Sequence, residues 1–124
     1  MNKILKVLVV LPAVLFTVMG LRWLVGPAGI APQFGFELSV GEGLSSQIGD
    51  MSGYFLTLGL CMLIAVVTGR RSWYYPPVML LLLTAIGRTL AWLVHDAALS
   101  QAIVVEIVVA TILLISASRV AEKD

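Results

Sequence analysis

Thr68-Gly69-Arg70-Arg71-Ser72-Trp73-Tyr74-Tyr75-Pro76-Pro77 is the stretch that decides how this chain folds. It separates two apolar runs, and its parts follow the order of a short turn between membrane helices. A glycine stop comes first, then two arginines, then three aromatics suited to the headgroup belt and two prolines suited to a helix start. The run before it spans about 50–68, and the run after it spans about 77–95.

Two more apolar runs lie further out, at about 4–25 and 99–118. Lys3 and Lys6 precede the first run, Arg22 lies near its end, and the charged tail Arg119 to Asp124 follows the last. Each run has the roughly 20 residues that a bilayer crossing requires. In a chain of 124 residues this leaves one sizeable loop and no second domain, so residues 1–124 read as a single four-span domain. Composition agrees, with 60% hydrophobic and 12% charged residues, against about 45–50% and about 25% in soluble domains. The expected main solvent is lipid.

The first run exceeds the roughly 7–15 apolar residues of a secretory signal, and no small-x-small site follows Val18 directly. It reads as an uncleaved anchor, with Pro12 predicting a kink. From Gly26 to Gly49 the chain is rich in Gly, Pro, Ser and Gln, with Phe34, Phe36 and Leu38 interleaved. That segment reads as a longer outer loop whose apolar residues dip into the interface or lid the bundle.

Basic residues set the orientation, because positively charged loops stay cytoplasmic. Lys3 and Lys6, Arg70 and Arg71, and Arg119 and Lys123 fall on alternate connections, while Glu37, Glu42, Asp50 and Asp96 fall on the others. Removing or adding one span would set Arg70 and Arg71 opposite a basic terminus. The expected fold is therefore all-α, an integral membrane four-helix bundle with both termini inside.

Several functions are excluded or disfavoured. Neither charge sign forms a run that would track a phosphate backbone, so nucleic acid is not an expected partner. The single Cys61 cannot form an internal disulfide or supply a dithiol pair, and reads as a packing residue. His95 has no second His for haem and no Cys for a metal, so no metal or cofactor is expected and His95 reads as interfacial. Trp73, Tyr74 and Tyr75 read as interface anchors. No nucleophile and base are arranged for catalysis, so the reading leans away from an enzyme.

Two charges stay inside apolar runs, Arg88 and Glu106. Such residues are functional candidates by default. At about 1.5 Å per residue, both lie roughly 10 Å in from the outer surface, on antiparallel neighbours, and are expected to pair. Thr84, Arg88, Trp92 and His95 share one stripe, and Ala102, Glu106, Ala110, Leu113 and Ala117 form a facing one with small residues that permit close approach. In the second span Asp50, Gly53, Tyr54, Thr57, Cys61 and Thr68 share a face, and Gly49 to Gly53 makes a small-xxx-small pattern. Adding Arg22 predicts an outer-half cluster of Arg22, Asp50, Arg88 and Glu106, with Tyr54 and Trp92 beside it. The cluster serves either as a structural staple that fixes register or as a site for the polar head of a lipophilic ligand.

Arg22-Trp23-Leu24 before a Pro-containing loop, Gly49-Asp50 with Gly53-Tyr54-Phe55, Gly87-Arg88 and Glu106 resemble the small bacterial membrane proteins grouped as domain of unknown function 4345, which are similar to the DoxX-like superfamily. The resemblance covers nearly the whole chain. It implies a four-helix protein of the bacterial inner membrane, and its DoxX-like relatives are associated with quinone-linked or redox membrane complexes. No cofactor ligands in this sequence support an oxidoreductase role.

Three functions compete. The leading expectation is a non-enzymatic accessory, assembly or stabilising subunit whose partner is a second membrane protein or another copy of the chain. The alternative is binding or modification of a lipophilic molecule such as a quinone, sterol-like compound or lipid, at Tyr54, Arg88, Trp92 and Glu106. The third is a small proton-coupled multidrug exporter, which this chain resembles in length and span number. Those exporters carry their essential carboxylate in the first helix, where this chain has no acidic residue.

Overall fold

Asn2 opens the first helix by accepting the Leu5 N–H on its side-chain oxygen at 2.8 Å, which satisfies one of the donors that every helix start leaves unpaired. The computed structural model describes residues 2–120, and Glu122, Lys123 and Asp124 of the expected charged tail lie outside the described residues. Its elements are α1 (Lys3–Val25), α2 (Pro27–Ile30), a 3-10 turn (Ala31–Phe34), α3 (Gly41–Thr68), a second 3-10 turn (Arg71–Tyr74), α4 (Tyr75–Val94) and α5 (Ala102–Arg119). No strand occurs among the described residues. Four helices are long and apolar enough to cross a membrane: α1, α3, α4 with its leading turn, and α5.

The expected loop from Gly26 to Gly49 is mostly helical. It holds α2 and the first 3-10 turn, and α3 starts at Gly41, well before Asp50. Gly41, Gly43 and Gly49 look like breakers, but a helical glycine costs only about 1 kcal/mol relative to Ala. Other contacts hold the extension. Gln47 accepts the Ser39 N–H at 2.9 Å and donates to the Glu37 carbonyl at 3.1 Å, which ties the incoming chain to the helix. Leu44, Ile48 and Met51, spaced along one face, are partly buried.

The turn at 68–77 is built as its residues dictate. Gly69 takes φ 66 and returns its N–H to the Ala65 carbonyl, a left-handed cap that glycine adopts without steric cost. Pro76 and Pro77 occupy the first turn of α4, where a missing N–H matters little. Between them, the 3-10 turn sends its consecutive side chains in different directions. Trp73 and Tyr75 are exposed but Tyr74 is fully buried. Tyr74 is therefore a core residue, a correction to its reading as an interface anchor. Arg71 closes the far end of α5, donating from Nε to the Ala117 carbonyl at 3.0 Å and from Nη2 to Val120 at 3.1 Å.

Successive long helices run antiparallel, so Lys3, Lys6, Arg70, Arg71 and Arg119 gather at one end and Glu37, Glu42 and Asp96 at the other. The most extensive contact is between α1 and α3. It forms at glycines whose role the apolar pattern does not signal. A Cβ on Gly59 would meet the Thr17 side chain and stand 2.7 Å from the Ala13 carbonyl oxygen, and a Cβ on Gly20 would stand 2.9 Å from the Leu56 nitrogen. By contrast Gly49 and Gly53 are exposed, and a Cβ on either would have nothing within 4 Å. Their small-xxx-small pattern marks no helix crossing among the described residues.

Val9, Phe16, Leu58, Met62, Leu81 and Leu113 fill the centre. The outward faces remain apolar, as at Leu11, Val67 and Val104, which are 65%, 83% and 64% exposed. Such a surface is unusual for a water-soluble monomer, whose apolar patches stay small.

The glycine crossing predicts an asymmetric substitution pattern. Gly59→Ala should overpack α1 against α3 and destabilise by about 1–3 kcal/mol, seen as a lower thermal midpoint in detergent. Gly87→Ala, which meets nothing, should be neutral or slightly stabilising. Equal midpoints for the two variants would contradict the close crossing.

Candidate functional site

The short connection from α4 to α5 makes the two helices antiparallel neighbours and sets Arg88 opposite Glu106. Arg88 Nε donates to Glu106 Oε2 at 2.9 Å. The two ends of the pair differ in environment, since the Arg88 side chain is 34% exposed and that of Glu106 only 9%. Oε1 of Glu106 is buried without a hydrogen-bond partner among the described residues. A buried unsatisfied polar atom costs about 1–3 kcal/mol, and more when charged. The pair is therefore only half completed by the protein.

Glu106 lines an apolar cavity of about 140 Å³ where all four long helices meet. Phe16 and Met19 come from α1, Tyr54, Phe55 and Leu58 from α3, Leu81 and Arg88 from α4, and Ala102, Val105 and Glu106 from α5. Phe34, from the first 3-10 turn, covers one side. An aromatic chain holds it there, with ring centroids 5.9 Å apart for Trp23–Phe34, 5.3 Å for Phe34–Phe55 and 5.0 Å for Tyr54–Phe55. A second, more polar cavity of about 260 Å³ shares Met19, Phe34, Arg88 and Ala102 and adds Gln33 and Ser100.

Tyr54 adds a further polar edge. Thr84 donates to the Leu80 carbonyl at 2.6 Å and lies 3.1 Å from the Tyr54 hydroxyl. Thr84 has one hydroxyl proton, and the shorter contact takes it to Leu80. The Tyr54 hydroxyl also reaches the Leu80 carbonyl, at 3.5 Å, so both hydroxyls converge on that carbonyl.

The structure brings together Tyr54, Arg88 and Glu106 of the expected cluster and leaves out the others. Arg22 is exposed and donates through Nη2 to the Gly29 carbonyl at 3.3 Å, within its own end of the chain. Asp50 is exposed and Trp92 is 42% exposed, and neither lines the cavity. The reason is helix phase. The inward face of α3 carries Ser52, Phe55, Leu58, Gly59 and Met62, so Asp50, Gly53 and Thr57 point outward. On α4 the stripe holds at Thr84 and Arg88 and is lost toward Trp92 and His95, where the end of the helix is exposed. Phe16 and Met19 were not legible as lining residues, because they are apolar and carry no chemical signal, whereas Ala102 lies on the expected stripe with Glu106.

Fold and site together describe an all-helical chain with four helices able to cross a membrane and a half-buried ion pair facing an apolar cavity. No protein-family model, curated protein or solved structure matches it. The site's chemistry therefore has to be read from its own atoms. Among the described residues, no three His, Cys, Asp or Glu side chains converge as a metal would require.

Removing one partner of a buried ion pair costs about 3–5 kcal/mol, whereas replacing both by apolar residues of similar volume is often neutral. Arg88→Met alone should therefore lower the thermal midpoint sharply, and Arg88→Met with Glu106→Met should recover most of the loss. A double variant as unstable as the sum of the two singles would show that the residues are not coupled.

Proposed function

We propose that this chain is a four-span integral protein of the bacterial inner membrane, with both termini cytoplasmic, that binds a lipophilic small molecule beside Arg88 and Glu106 without catalysing its conversion. The observation that carries this reading is Glu106, which lines an otherwise apolar cavity and has a buried, unpartnered Oε1. Apolar walls with a few converging polar groups are what a lipophilic ligand site needs. The reading of the pair as a register staple for an accessory subunit explains Arg88 and Oε2. It gives no role to the cavity or to the open oxygen.

The gathering of Lys3, Lys6, Arg70, Arg71 and Arg119 at one end supports the orientation. The bacterial setting rests on the resemblance to the domain of unknown function 4345 proteins.

Topology is tested by labelling intact cells with a membrane-impermeant maleimide. Val40→Cys, in the connection before α3, should react from outside, and Ser118→Cys, near the end of α5, only after permeabilisation. The reverse pattern would overturn the orientation. Ligand binding is tested by native mass spectrometry of protein purified in mild detergent. We expect one small lipophile retained per chain, with affinity reduced about tenfold to a hundredfold by Glu106→Gln, the effect of losing a charge-assisted hydrogen bond worth about 1.5–3 kcal/mol. Retention unchanged by that substitution would sink the proposed site.

A further inference from the structure

We infer that the cavity takes a neutral, single-ring lipophile bearing a hydroxyl, whose hydrogen meets Glu106 Oε1 and whose oxygen faces the Arg88 guanidinium. This rests on the ligand-binding reading above and names the chemistry of the ligand. Three observations lead to it.

The first is the hydrogen-bonding demand. Glu106 Oε1 is buried and unpartnered among the described residues, so it calls for a donor. Ketones, esters and ethers offer none. Arg88 meets Glu106 through Nε, and its two terminal nitrogens carry further donors that an acceptor would satisfy. An ammonium group has no acceptor to offer. A hydroxyl supplies donor and acceptor on one atom, which suits two groups already joined at 2.9 Å.

The second is charge. Arg88 and Glu106 neutralise each other, so a neutral guest keeps the site neutral. A carboxylate guest would set a second negative charge beside an oxygen that has no cation of its own, in surroundings where like charges repel more strongly than in water. An anionic head is therefore disfavoured even with an arginine present.

The third is size and lining. The cavity of about 140 Å³ is close to the roughly 150 Å³ of an apolar cavity that holds benzene. Phe16, Phe34, Tyr54 and Phe55 line it, with Phe16–Phe55 centroids 6.0 Å apart, and aromatic walls pack well against a ring edge or face. The adjoining cavity shares Met19, Phe34, Arg88 and Ala102 and adds Gln33 and Ser100, which sets further polar groups beside the Arg88 end of the site.

The test uses three probes of matched shape, 4-butylphenol, butylbenzene and 4-butylbenzoate. Each is titrated calorimetrically into the full chain in phosphatidylcholine nanodiscs, with empty nanodiscs subtracted. Wild type should bind 4-butylphenol saturably at one per chain, about tenfold or more tighter than the other two probes. In Arg88→Met with Glu106→Met, which keeps an apolar interior, the preference for the phenol over butylbenzene should vanish. Ala102→Phe, which places a ring in the cavity and leaves the ion pair in place, should abolish saturable binding of all three.

Tightest binding by 4-butylbenzoate or butylbenzene would overturn the hydroxyl assignment while leaving a lipophile site standing. A phenol preference that survives in the double variant would also overturn it, since the preference would then not come from the pair. No saturable binding of any probe to wild type would overturn this inference and, if native mass spectrometry also finds no retained lipophile, the ligand-binding reading beneath it.

Discussion

Glu106 has two carboxylate oxygens and the protein provides for one of them. Arg88 holds Oε2 at 2.9 Å, and this contact sets how far along α5 the third long helix lies. A buried charge with no partner is costly enough to unfold a marginal protein, so a register of α4 against α5 that breaks the pair is disfavoured. The remaining oxygen is buried without a partner among the described residues, in a side chain that also lines a cavity. The same side chain thus serves packing on one edge and leaves an unmet demand on the other.

The rest of the bundle makes that arrangement possible by dividing the work. α1 and α3 approach closely because Gly20 and Gly59 have no Cβ to separate them. α4 and α5 are held by the ion pair at one end and by Arg71 over the α5 carbonyls at the other. The cavity lies where the tight pair meets the charged pair. Larger side chains such as Phe55, Leu58 and Leu81 line it, and Phe34 covers it through its contacts with Trp23 and Phe55. A stretch that reads as a simple outer loop therefore contributes a wall of the site.

Much of this was legible in the sequence, and what was missed has a physical cause. The four long helices follow from apolar run length, and the Arg88–Glu106 pairing follows from equal depths on antiparallel neighbours. Helix phase was less legible. Asp50, Gly53, Tyr54 and Thr57 form a polar stripe on paper, but a helix among other helices turns its small and aromatic residues inward, so Phe55 and Gly59 set the face instead. Arg22, in the last turn of α1, also has an outlet that Glu106 lacks, because it can reach toward the end of the bundle. The helical start at Gly41 was hidden because glycine-rich composition resembles a loop until the Gln47 contacts to Ser39 and Glu37 are known. Ala13, Thr17 and Gly20, at helical spacing on α1 and facing Gly59 and Leu56 of α3, are the signal that would have located the close crossing.

The most direct test of this account is a high-resolution density map of the protein purified with its native lipids in nanodiscs. The account predicts Arg88 and Glu106 in contact, with well-defined non-protein density in the cavity between Phe34, Phe55 and Leu81 that approaches Glu106 Oε1 to hydrogen-bond distance. A dry cavity, or a Glu106 whose second oxygen is satisfied by another protein group, would contradict it.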